Sequence, residues 1–119
     1  MNKISDLARQ TAELHALITG YHFIREHPKG HSAKMLRYLA NSGAELAVEK
    51  RKGTPLLYLT RATADGRIDQ AELEWVSASR TGRNSNLNTL ESFRDSPLAR
   101  VRVTTLDTAR RAIEACVSG

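Results

Sequence analysis

The 119-residue chain predicts an α+β fold: a single domain over 1–119 with two N-terminal helices, a β-hairpin plus a third strand, and C-terminal helices. Three observations predict it. Apolar residues recur at helical spacing in the N-terminal third. Apolar and polar residues alternate on both sides of Asp65-Gly66. Arg100-Val101-Arg102-Val103-Thr104 alternates cleanly, which reads as a strand with its valines inward.

Taken in order, Ile4, Leu7, Thr11, Leu14 and Ile18 form one face of a first helix, with Asn2 or Ser5 near its start and Gly20 near its end. Pro28 and Gly30 interrupt the pattern. Ser32 suits an N-cap, and Met35, Leu39, Ser42 and Leu46 then read as the stripe of a second helix. That stripe runs into the basic stretch Lys50-Arg51-Lys52.

Residues 63–74, TADGRIDQAELE, admit three readings. The first is the back half of an EF-hand calcium loop. With Gly66 at the loop's sixth position, Asp65, Asp69 and Glu72 fall at ligand positions, but Arg61 stands where the first carboxylate belongs. The second is a helical elbow, which would make the domain all-α with the bend at 65–69. Thr54-Pro55 would open the first helix, Gly66 would follow its end, and Asp69 with Glu72 have capping-box spacing. Over these few residues the chain is similar to the tellurite-resistance B-like family, which carries a comparable acidic-Gly elbow. The third is a β-hairpin turning at Asp65-Gly66, which sets Tyr58 opposite Leu73 and Leu56 opposite Trp75. Aromatic and branched residues at 56–60 and 73–76 favour the hairpin, with Tyr58 and Trp75 in the core. Beyond it, 79–88 reads as a loop leading to a short helix around Leu87, Leu90 and Phe93 that ends at Asp95-Ser96-Pro97. Thr105 or Asp107 caps a last helix burying Ala109, Ala112, Ile113, Cys116 and Val117.

Composition excludes several function classes. One cysteine, Cys116, leaves no internal disulfide and suits a reducing, cytoplasmic setting. No apolar run is long enough to cross a bilayer, and Asp6, Arg9 and Glu13 break any secretory segment. No glycine-rich phosphate loop or nucleophile elbow is present. Cys116 lies on an apolar helix face, as a structural thiol does. His15, His22, His27 and His31 lie close together in sequence, but no cysteine is near and metal-ligand spacing is absent. With Lys29, the imidazoles of His22, His27 and His31 are the candidates for acid–base cleavage of RNA.

The net charge of +5 is unevenly spread. Residues 32–62 hold six basic and two acidic side chains, whereas 63–79 hold one basic and four acidic. Lys50, Arg51 and Lys52 form one basic cluster; Arg80, Arg83, Arg100 and Arg102 form another, with Asn84 among them. Arginine and asparagine suit phosphate contacts and base-edge hydrogen bonds. The leading expectation is therefore a small, non-enzymatic, nucleic-acid-associated or regulatory accessory protein using an arginine-rich face. The alternative is a protein–protein interaction module, an adaptor or inhibitor, with a homodimer through the first helix. A small basic ribonuclease ranks third. No catalytic residue, metal or cofactor is assigned, and no membrane partner is expected.

Overall fold

A computed structural model describes residues 3–32, 34–50, 54–69, 73–78 and 85–117. The first helix, α1, runs Lys3–Thr19 and buries Leu14 and Ile18 on a sheet. Six antiparallel strands make that sheet: β1 (Ile24–Glu26), β2 (Met35–Ala40), β3 (Glu45–Glu49), β4 (Leu56–Thr60), β5 (Leu73–Val76) and β6 (Leu98–Arg102). Their order is β1-β2-β3-β4-β6-β5. A short helix, α2 (Arg61–Ala64), follows β4, and α3 (Leu106–Ala115) closes the chain. The α+β class is as expected, and the all-α alternative fails.

The predicted second helix is instead the β2–β3 hairpin. Gly43 turns it at φ +95°, a conformation that favours glycine, and Ala40 N–H donates to Ala44 O at 2.8 Å. Both faces of this hairpin are covered, so the two-residue period is washed out. Leu36, Tyr38, Leu46 and Val48 face the helices, while Met35 and Ala47 face the other way. A near-continuous apolar run of this kind carries no strand signature, and its chance three–four spacing mimics a helix.

The expected hairpin at 65–66 is also corrected. Both of its strands exist, but β6 lies between them. Tyr58 pairs with Arg100, and Leu73 pairs with Val101. Across β4, β6 and β5, Leu57 rather than Tyr58 shares the face of Leu73, with Val101 between them; β4 is apolar and buried on both faces, which is why an alternation test could not separate the two arrangements. The turn region keeps one element of the elbow reading. Thr60 Oγ1 caps α2 by accepting from Thr63 N–H, Asp65 is the C-cap, and Gly66 follows at φ +75°. Arg61 and Thr63 are helical, so the first half of an EF-hand loop is absent.

One core lies between the sheet and α1 with α3, built from Leu14, Ile18, Leu46, Leu57 and Ile113 among others. The second lies on the opposite, lower face, where Met35, Leu56 and Leu98 meet Leu87, Leu90 and Phe93. The lower core is closed by two 3-10 turns, Ser85–Thr89 and Glu91–Phe93, in place of the expected short helix. The last helix lies where predicted, with Thr105 accepting from Thr108 N–H as its cap. Two core assignments are corrected: Trp75 is 38% exposed and Val117 is 53% exposed. Among the described residues, no helix is long and apolar enough to cross a membrane.

Candidate functional site

The antiparallel ladder gathers basic side chains that are far apart in sequence. Met35 pairs with Glu49, and Lys50 N–H donates to Lys34 O at 2.9 Å, so Lys34 and Lys50 end β2 and β3 side by side. Glu49 pairs with Leu56, and Leu56 pairs with Arg102. Lys34, Lys50 and Arg102 thus mark the same end of the sheet, across roughly 14 Å at the usual strand spacing. Lys34 and Arg102 are exposed and Lys50 is partly so. The β3–β4 connection adds Arg51 and Lys52 in sequence. These two lie outside the described residues, as do Arg80, Arg83 and Asn84.

The lower face next to this end carries a polar ladder. Glu74 on β5 accepts from Arg100 Nη2 at 2.8 Å and from Arg102 Nη2 at 3.1 Å. The hydrogen bond from Arg100 holds the Glu74 carboxyl below its ordinary value, with the nearby positive charge and Arg102 adding to it. Tyr58 donates to Glu49 Oε1 at 3.0 Å, and burial pushes the Tyr58 hydroxyl up. Arg100 and Arg102 therefore do stand together, as the strand pattern implied, but one carboxylate offsets half of their charge.

The histidines divide between the two faces. His15 on α1 meets the buried Tyr38 hydroxyl at 2.7 Å, and the His15 and His31 rings lie edge to face, 6.0 Å apart. Burial, and then the Glu26 carboxylate, push the Tyr38 hydroxyl up. On the lower face, Glu45 accepts from His27 Nε2 at 2.6 Å, from Ser92 N–H at 2.8 Å and from Ser92 Oγ at 2.6 Å. Burial alone would raise the Glu45 carboxyl, but the bonds from Ser92 and His27 outweigh it and the net shift is downward. Beside it, buried Arg37 donates to Thr89 Oγ1 and Gly30 O, and Lys29 donates to Thr89 O. His27 and His31 consequently serve opposite faces, and His22 is exposed.

His15, Glu26 and His31 set potential ligand atoms within 4.8 Å of one another. The hydrogen bonds argue against a metal there. His31 Nδ1 accepts Arg37 N–H at 2.9 Å, so the ring proton sits on Nε2, which donates to Glu26 Oε1 at 2.6 Å. A ligating imidazole needs the reverse: a lone pair toward the metal and an N–H donated to an outer acceptor. His27 is held in the same tautomer, accepting Lys29 N–H on Nδ1. The clusters are clasps between elements. Cys116 is fully buried, and burial pushes its thiol up to about 12, as suits a structural cysteine.

Sequence reasoning missed Lys34, because its place beside Lys50 exists only once β2 and β3 pair. It also missed His15 and Tyr38 as partners, since helical spacing put Tyr38 on no stripe. Comparison with protein-family models, curated proteins and solved structures returns no match for this chain.

Proposed function

We propose that this protein is a small, non-enzymatic, nucleic-acid-associated accessory protein that grips the phosphate backbone with the basic end of its sheet. The observation that carries the reading is that Lys34, Lys50 and Arg102 lie at the same end of the sheet, the two lysines side by side and Arg102 on the opposite face, with Arg51 and Lys52 following Lys50 in sequence. The backbone that carries Lys34, Lys50 and Arg102 is already ordered by the strand ladder, so binding there orders side chains rather than a loop. Phosphate contacts of this kind supply affinity and orientation rather than base readout. Glu74 acts as an internal competitor, holding Arg100 and Arg102 until a phosphate takes its place.

The test is fluorescence anisotropy with duplex DNA, single-stranded DNA and RNA at several salt concentrations. Each phosphate contact contributes about −0.9 to the log–log salt slope on duplex DNA. The combined substitution Lys34→Gln, Lys50→Gln and Arg102→Gln removes about 2.7 from that slope if all these residues make contact. Undetectable binding at low salt, or an unchanged slope in the triple variant, refutes the reading.

A further inference from the structure

Past the ends of β3, β4 and β6 the ladder continues by one residue. Val103 N–H donates to Pro55 O at 3.0 Å, and the register that sets Glu49 opposite Leu56 brings Lys50 beside Pro55. Side chains alternate along a strand, and Val48, Leu57 and Val101 face the helices. Lys50, Pro55 and Val103, each two residues further on or back, face the same way. They form one row on the helix-covered side, each roughly 5 Å from the next at the usual strand spacing.

Part of this row floors a pocket of about 200 Å³ between α1 and the start of α3. Leu14, Pro55 and Val103 make an apolar floor, and Glu13, Thr104 and Leu106 stand at the rim. Leu14 and Pro55 are buried, whereas Leu106 is 41% exposed, an apolar side chain held at the mouth of an apolar hollow. Sites for drug-sized ligands enclose about 300–1,000 Å³, so this one suits a single ring.

We propose that the pocket takes one unpaired cytosine of a single-stranded nucleic acid whose phosphates lie on Lys50 and Lys34, an inference that rests on the phosphate-gripping function proposed for this end of the sheet. The floor and Leu106 offer apolar contact to a flat ring. Lys50, next to Pro55 in the row, puts a cation within reach of the phosphate attached to that nucleotide. Lys34, tied to Lys50 through its carbonyl, receives the next phosphate, which selects a strand over a free nucleotide. Glu13 selects the base. A carboxylate accepts from the N4 amino group of cytosine, whereas thymine and uracil present a carbonyl oxygen at the same place, acceptor against acceptor. Its two oxygens let this contact add to those Glu13 makes within the protein. A paired base keeps this edge occupied, so the pocket reads single strands and not duplex.

Fluorescence anisotropy at neutral pH and constant low salt tests the proposal with oligodeoxycytidylate, oligothymidylate of equal length and a duplex. Oligodeoxycytidylate should bind about fivefold to tenfold more tightly than oligothymidylate, the discrimination that one base-edge contact supplies. Glu13→Gln, whose amide both donates and accepts, should bring that ratio close to one with the salt slopes unchanged. Leu106→Ala should weaken single-strand binding about threefold or more and leave the duplex unaffected. Both substitutions fall at exposed positions, and circular dichroism checks their fold. Equal affinity of the wild type for the two oligonucleotides, or a preference that survives Glu13→Gln, overturns the proposal and leaves the phosphate grip standing. Failure to bind any of the polymers overturns both. Cytidine monophosphate that displaces oligodeoxycytidylate at equal concentration would assign the pocket to a free nucleotide and overturn the strand assignment.

Discussion

Glu45→Gln is the most informative single change to the fold. The Glu45 carboxylate is buried, at 7% exposure, and accepts from His27 Nε2, Ser92 N–H and Ser92 Oγ. It ties the β1–β2 connector and the Glu91–Phe93 turn to β3. Glutamine keeps the size and one oxygen, which can still accept from Ser92. Its amide nitrogen then faces the His27 Nε2–H, donor against donor. A buried donor left unsatisfied costs about 1–3 kcal/mol, and losing charge assistance on the remaining bonds removes about 0.5–1 kcal/mol more from each. The expected total is about 3 kcal/mol at neutral pH, read by urea denaturation. The pH dependence has a definite sign. The folded carboxyl lies below its ordinary value of 4.5, so its stabilisation is complete above that value and is lost as pH falls through the folded pKa. The gap between wild type and Glu45→Gln should therefore narrow in acid. Equal stability at pH 7, or a gap that stays constant into strong acid, would refute the reasoning.

Two further outcomes follow from the site and the core. Glu74→Gln frees Arg100 and Arg102 from their shared carboxylate, so salt-dependent nucleic-acid affinity should rise, by a few-fold to about tenfold at low salt; affinity that is unchanged or lower would show that these arginines do not contribute. Cys116, with its thiol pushed up to about 12 and no exposure, should react with a thiol reagent at pH 8 no faster than the protein opens. Rapid labelling of the native protein, measured by the chromophore released, would contradict that burial.

Where local chemistry decides the structure, the sequence was readable. The last helix has its Thr105 cap and apolar face within a few turns, and β6 is exposed enough on one side to alternate. The β2–β3 hairpin was hidden because both of its faces are buried, so polar residues do not mark the period. The strands β4 and β5 were visible, but their neighbour was not, since pairing across β6 is set by contacts distant in sequence. The candidate site repeats the pattern. Lys50, Arg51 and Lys52 announce themselves as a run, and Arg100 and Arg102 as an alternation. That Lys34 joins the first group, and that Glu74 restrains the second, depends on strand register alone. The imidazoles near one another in sequence are parted by the sheet itself.

The position of β6 between β4 and β5 also bears on how the chain reaches this structure. During synthesis β4 and β5 are both made before β6, and the direct hairpin between them finds an apolar face of its own, because β4 is apolar on both faces. That hairpin is a rival product, closed by a far shorter loop than the native β4–β6 pairing and so faster to form. The helix and glycine at 61–66 turn the chain away after β4, disfavouring the shortcut until the last strand arrives. A segment that reads as a solvated turn is, in this light, a device for delaying β5.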